Sequence, residues 1–146
     1  MQPMSRPGRS LEAPLASALL FAALALHNLE EALTYANARG AAQRLIGQIL
    51  PDLRLPPPAL AQGALLGLTL VGGALLLWAA RTRNRDAAWF VLRITAAVLL
   101  ANVLAPHVPA AIALGGYAPG LVTAVAINLP LGLWILARAR STGQMR

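Results

Sequence analysis

Four long apolar runs, separated by short polar segments, organise the sequence. They cover residues 14–36, 59–80, 87–105 and 117–137. Each run is close to the length of about 20 residues that an α-helix needs to cross a hydrocarbon core about 30 Å thick. The pattern therefore predicts an all-α fold, a four-helix transmembrane bundle that forms a single membrane domain over residues 1–146. Polar tails remain at residues 1–12 and 138–146.

The segment between the first two runs, residues 37–58, carries a shorter apolar pattern. Leu45, Ile46, Ile49 and Leu50 recur at helical spacing and form one apolar stripe. A short interfacial helix that lies on the membrane surface between the first two spans is the expected structure.

Three other positions within the runs predict details of helix packing and shape. Gly63 and Gly67 form a small-xxx-small step, which favours close contact with another helix. Pro130 lies inside the fourth run, where its missing N–H removes one helical hydrogen bond and predicts a kink.

The distribution of arginines predicts the orientation. With four spans, the N-terminus, the turn at 81–86 and the C-terminus share one side of the membrane. Arginine excess marks the cytoplasmic side, so we expect an inner-membrane protein with both termini in the cytoplasm. The arginines on that side are Arg6, Arg9, Arg81, Arg83, Arg85, Arg138, Arg140 and Arg146, against Arg39, Arg44 and Arg54 on the other. Arg93 lies within the third run, where we expect it to snorkel to the nearer surface.

Composition excludes several classes of function. Only 12% of residues are charged, against about 25% in soluble domains. The formal net charge is +7, but the basic residues lie in the gaps between apolar runs, so no nucleic-acid surface is predicted. The sequence contains no cysteine, which excludes disulfides and thiolate metal ligands.

The sequence His27-Asn28-Leu29-Glu30-Glu31 interrupts the first run with ionisable groups. Each such group costs roughly 3 kcal/mol at the bilayer centre on insertion scales. At about 100° per residue, Glu31 lies about 40° from His27 on one side and Glu30 about 60° on the other. Thr34 points into the same sector. This geometry predicts one shared site.

Polar residues from later runs are expected at the same depth. His27 is about 20 Å along the first helix from Pro14, roughly two-thirds of the way across the core. Asn102 and His107 fall in the far half of the third helix, and Tyr117 begins the descent of the fourth. The groups therefore converge in the outer half of the bundle.

These elements together resemble the HxxEE-domain family of small bacterial membrane proteins. The resemblance rests on the His27–Glu31 motif, on Asn102 followed by His107, and on Tyr117-x-Pro119-Gly120 with Thr123, and it extends over about residues 20–135. It implies a four-helix membrane protein with these residues as its signature. It implies no reaction.

Metal binding is the sharper functional hypothesis. Imidazole and carboxylate groups suit zinc or iron. His27, Glu31 and His107 are the expected ligands of a divalent metal, with a fourth position open to water. Glu30 and Glu31 are the candidate catalytic residues, the one that is not a ligand acting as general base. Asn102, Tyr117 and Thr123 are expected around the site or against the substrate. The reaction is then hydrolysis or rearrangement of a lipid-soluble molecule that arrives from the bilayer.

Two other classes of function remain open. Neighbouring carboxylates and a histidine also share protons, so proton or small-solute transport is an alternative, with Asn128 extending a path inward. In a structural or partner-binding role, His27 and Glu31 pair with each other or with Arg39 or Arg93 and fix the packing of the helices.

Overall fold

The computed structural model describes residues 12–143, which form four long helices and no strand within that range. Each helix is long and apolar enough to cross a membrane. The predicted all-α bundle of membrane-spanning helices is therefore confirmed. Of the predicted polar tails, Arg6, Arg9 and Arg146 lie outside the described residues. We label the helices α1 (Glu12–Ile49), α2 (Pro58–Arg81), α3 (Arg85–Leu114) and α4 (residues 121–143).

Local sequence fixes the tight connection between α2 and α3. The Asn84 side chain accepts a hydrogen bond from the Ala87 N–H at 3.1 Å. It thereby caps one of the N–H groups that a helix leaves unpaired at its start. Because only residues 82–84 separate the two helices, α2 and α3 run antiparallel as neighbours.

The first helix is longer than the membrane requires. Its 38 residues extend for about 57 Å at about 1.5 Å per residue. The apolar stripe predicted as a separate surface helix is helical up to Ile49, but it forms the last turns of α1. The physical reason is that residues 37–49 contain no proline, and the first one after them, Pro51, lies in the turn that ends the helix.

The chain that follows α1 returns along it. The Tyr35 hydroxyl and the Arg39 guanidinium donate to the Pro56 carbonyl at 2.9 and 2.8 Å. Gln62, on the first turn of α2, donates to the Ala32 carbonyl at 3.1 Å. The start of α2 is thereby held about one turn beyond the His27–Glu31 motif.

Close packing of α1 on α2 uses glycines other than the predicted pair. A Cβ on Gly73 would lie 2.7 Å from the Phe21 ring, and one on Gly72 would lie 2.5 Å from Leu24. At Gly63 and Gly67, no atom of the described chain lies within 4 Å of the Cβ position. The predicted contact at Gly63 and Gly67 is therefore absent from the described chain, because Leu65 and Thr69 face α1 there and the two glycines lie about 160° around α2 from Leu65. The core comprises Ala16, Leu20, Ala23, Leu76, Leu92, Ala96, Leu99 and Ile135.

Two π-helical turns interrupt α3 and α4 beside the core. Val103–His107 contains Pro106, and Ala124–Asn128 directly precedes Leu129 and Pro130. In each turn, an N–H bonds to the carbonyl five residues back. Proline cannot donate and its ring displaces the carbonyl four residues before it, so the wider turn accommodates the ring. The distortion expected at Pro130 thus takes the form of a π-turn, a feature common at functional sites.

Candidate metal centre

Two histidines meet inside the bundle. His27 of α1 and His107 of α3 are 1% and 4% exposed, and their Nε2 atoms lie 3.1 Å apart. The Asn102 amide nitrogen lies 2.8 Å from Nε2 of His27 and 3.0 Å from Nε2 of His107. The π-turn between Asn102 and His107 brings residues five apart onto one side of α3. The π-turn in α3 therefore places Asn102 and His107 together in the pocket.

The other nitrogen of each ring is held by the start of α4. His27 Nδ1 lies 3.0 Å from Thr123 Oγ1. Because the Thr123 hydroxyl donates to the Gly120 carbonyl at 3.3 Å, it accepts the N–H of His27. The Pro119 carbonyl is the backbone acceptor for His107. His27 thus carries its proton on Nδ1 and directs the lone pair of Nε2 into the pocket, where it meets Nε2 of His107.

Glu31 supplies a third electron-pair donor. Its Oε2 lies 3.9 Å from His27 Nε2, and its side chain is 27% exposed. Ligand atoms of His27, Glu31 and His107 all lie within 4.8 Å of one another. The structure therefore brings together the three residues predicted as metal ligands, from positions up to 80 residues apart.

Glu30 faces the start of α4 instead. Its Oε1 accepts from the Tyr117 hydroxyl at 2.5 Å and from the Val122 N–H at 3.1 Å, and its Oε2 accepts from the Thr123 N–H at 2.7 Å. The first N–H groups of a helix have no partner within it, and the helix dipole favours a negative charge there. Glu30 therefore caps α4 across the interhelical space, outside the three-donor pocket.

Tyr117 lies in the connection between α3 and α4 and is 45% exposed. Its hydroxyl donates to Glu30 and lies 3.4 Å from Thr34 Oγ1. Partial burial raises the pKa of Tyr117 above its ordinary value, and the hydrogen bond to Glu30 raises it further. The phenol therefore stays protonated and keeps donating to Glu30. Of the residues expected around the site, Asn102 and Thr123 contact the histidines. Tyr117 instead contacts Glu30, the residue that caps α4.

Gly120 allows the two rings to approach the start of α4. Its φ is +76°, a conformation that costs other residues about 1–2 kcal/mol. A Cβ at this position would lie 2.8 Å from Cε1 of His27 and 2.8 Å from Cε1 of His107. Only glycine meets both conditions. The sequence shows that Gly120 belongs to a motif, but it does not show why a glycine is needed at this position.

Asn28 joins the motif to α2. It is 7% exposed, and its amide donates to Thr69 Oγ1 at 2.8 Å and to the Leu65 carbonyl at 3.2 Å. Sequence analysis assigned Asn28 no role. The sequence did contain a signal for this contact, because a buried amide in an apolar helix needs a hydrogen-bond partner on the helix that it faces.

The two arginines considered as partners for Glu31 are engaged elsewhere. Arg39 donates to the carbonyls of Leu55 and Pro56. Arg93 is exposed and donates to the Trp89 carbonyl at 3.3 Å, one turn nearer the start of α3. That direction is the one expected for snorkelling. The pocket thus holds a carboxylate and two imidazole lone pairs without either guanidinium.

Comparison with known proteins identifies the family of the chain. Searches of curated proteins and of solved structures gave no match. Residues 18–135 match the family described as proteins of unknown function with an HXXEE motif. That range covers most of the chain and includes His27, Glu30, Glu31, Asn102, His107 and Thr123, and the protein therefore belongs to the HXXEE family.

Proposed function

We propose that His27, His107 and Glu31 bind a divalent metal ion, zinc or iron, and that this centre promotes hydrolysis or rearrangement of a lipid-soluble molecule. One observation carries the proposal. Three potential ligands face one another within 4.8 Å, while the Thr123 hydroxyl engages the opposite nitrogen of His27. A cation between them would take the place of the Asn102 amide, which donates to both Nε2 atoms here.

The spacing of the nitrogens suits such an ion. Two ligands at the zinc–nitrogen distance of about 2.05 Å and a tetrahedral angle are about 3.3 Å apart. The observed Nε2–Nε2 distance is 3.1 Å. The Asn102 amide, which donates to both nitrogens here, presents Oδ1 to the same point after a half-turn about its last bond.

The metal would act as a Lewis acid and lower the pKa of a bound water to about 7. The Glu31 side chain makes no hydrogen bond in the described chain, so its carboxylate oxygen that does not face the histidines is open to accept a proton. Glu30, the glutamate expected to be the base if Glu31 is a ligand, is committed to Tyr117, Val122 and Thr123. In its place we assign the general-base role to the oxygen of Glu31 that would not bind the metal.

Metal analysis of the purified protein tests the binding step. We expect about one metal ion per chain in the wild type and a loss of most of it in His27→Ala, His107→Ala and Glu31→Gln. Glu30→Gln is the matched control, since it alters the neighbouring carboxylate outside the pocket, and it should keep the ion. Equal metal content in Glu31→Gln and wild type would contradict the proposal.

Chemistry is tested separately in vesicles of total bacterial lipid. Metal-loaded wild type should change the amount of at least one lipid-soluble species detected by mass spectrometry, and Glu31→Gln should not. If both proteins leave the lipid profile unchanged, the catalytic part of the proposal fails while metal binding stands on its own result.

Proton transfer is the second candidate function, and it depends on the same contact between His27 and His107. The 3.1 Å between the Nε2 atoms is a hydrogen-bond distance, so a single proton can be shared between the two rings. In proteoliposomes with a pH-sensitive dye, this role predicts proton flux that His107→Ala abolishes. The absence of flux under an imposed gradient would exclude it.

A further inference from the structure

A second feature, separate from the pocket, is an apolar groove between α1 and α2. Its volume is about 470 Å³, within the range of about 300–1,000 Å³ found for ligand sites. At about 100° per residue, Phe21 in its wall lies about 120° around α1 from His27. The groove therefore opens on a different side of α1 from the three-donor pocket. Its lining includes Pro14, Ser17 and Phe21 of α1 and Thr69, Ala74 and Ala80 of α2.

The length of the groove matches one leaflet of a bilayer. From Thr69 to Ala80, eleven residues apart, α2 rises about 16 Å. That is about half of a hydrocarbon core of about 30 Å. The groove begins beside Arg81, at the end of α2, and stops near the middle of the bundle. A single acyl chain from the leaflet at that end has the required reach.

Register between the helices places the mouth of the groove at the arginine turn. Phe21 packs against Gly73, and Asn28 bonds to Thr69, so in the antiparallel pair Pro14 lies level with Arg81. Ser17 lies about 4.5 Å deeper, at about 1.5 Å per residue, but it is only 3% exposed and its hydroxyl oxygen is buried. The wall near the mouth therefore offers a bound chain an apolar surface.

Positive charge at the mouth of the groove, the end beside Arg81, favours an anionic headgroup. Arg81, Arg83 and Arg85 lie in or beside the α2–α3 turn at this end. The acidic residues at the same end are Glu12, which pairs with Arg138 at 3.7 Å, and Asp86. Clusters of arginine next to a membrane helix attract anionic lipids. Three arginines against the single carboxylate of Asp86 leave the mouth with a net positive charge.

We propose that the α1–α2 groove binds one acyl chain of an anionic glycerophospholipid, with its phosphate at the arginine turn. The site is independent of the metal pocket. It fixes α2, the helix with the smallest buried share, to α1 from the lipid side.

Native mass spectrometry of protein released from nanodiscs tests the proposal. The probes are phosphatidylglycerol and phosphatidylcholine with identical chains. We expect the wild type to retain one phosphatidylglycerol and at least several-fold less phosphatidylcholine. Arg81→Gln should reduce retention of phosphatidylglycerol about fivefold, the effect of one juxtamembrane charge. Equal retention of the two lipids by the wild type would overturn the proposal.

Two substitutions separate the groove from the rest of the lipid-facing surface. Ala74→Phe fills the groove and should abolish retention of phosphatidylglycerol, whereas Ala64→Phe, on an exposed part of α2 outside the groove, should leave it unchanged. Size-exclusion chromatography checks that each variant is folded. Full retention in folded Ala74→Phe would also refute the site.

Discussion

At the scale of single residues, two adjacent glutamates hold different positions because a helix turns by about 100° at each residue. Glu31 faces the two histidines, whereas Glu30 faces the N–H groups at the start of α4. The sequence predicted that both point into one sector of α1. It could not assign them separate partners, because that division depends on where α4 begins, and α4 begins at Leu121, later than the apolar pattern indicates.

This division predicts opposite effects of two similar substitutions. Glu30→Gln replaces the carboxylate that accepts three hydrogen bonds and should lower the free energy of unfolding by about 1.5–3 kcal/mol, the value of hydrogen bonds to a charged group. Glu31→Gln removes a partly buried carboxylate and should leave the metal-free protein as stable as wild type or more so. Thermal unfolding in detergent with a chelator measures both. A larger loss in Glu31→Gln than in Glu30→Gln would contradict the assignment.

Gly120 offers a second test at this scale, with a matched control. Gly120→Ala adds backbone strain of about 1–2 kcal/mol and overpacking of about 1–3 kcal/mol against the two imidazoles. Gly115 also has a positive φ, of 64°, but nothing lies within 4 Å of its Cβ position. Gly115→Ala should therefore show only the first cost and keep its metal. Comparable destabilisation and metal content in the two variants would show that the contact with the rings is unimportant.

At the scale of elements, the hydrophobic pattern predicts how many helices exist better than how they end or touch. Four apolar runs sufficed for four spans. The continuation of α1 to Ile49 follows from the absence of a proline, a local signal that the apolar pattern alone does not carry. The use of Gly72 and Gly73 in place of Gly63 and Gly67 depends on which face of α2 is turned toward α1. That orientation is a tertiary property, which the spacing of glycines in one helix does not encode.

Asn28 gives a prediction about the contact between two elements. Asn28→Ala removes the hydrogen bonds to Thr69 and Leu65, and each is worth about 0.5–1.5 kcal/mol. The Thr69 hydroxyl keeps its own bond to the Leu65 carbonyl, so no hydroxyl proton is left without an acceptor. We expect destabilisation of about 1–3 kcal/mol with unchanged metal content, because His27 is held by α4. Metal loss without a change in stability would place Asn28 in the site instead.

At the scale of the whole molecule, the site is assembled at one end of the bundle. His27, Thr123 and His107 belong to three helices, and the connections nearest to them are the α1–α2 return and residues 115–120. The arginine turn at 81–85 lies at the opposite end. The sequence predicted this arrangement by depth alone, since helices of known direction place residues at calculable heights. It could not predict the 3.1 Å contact, which requires the π-turn in α3.

The same arrangement predicts the side from which the site is reached. If arginine excess marks the cytoplasmic side, the 115–120 connection faces outward and the 82–84 turn faces the cytoplasm. The chain has no cysteine, so single-cysteine variants report position without background. In intact spheroplasts, a membrane-impermeant maleimide should label Gly116→Cys and should label Thr82→Cys only after the membrane is opened. Both sites are in short connections, so neither cysteine is withheld from reagent by a helix. The reverse labelling pattern would invert the orientation and place the three-donor pocket near the cytoplasm, where a substrate of the proposed reaction would enter from the inner leaflet.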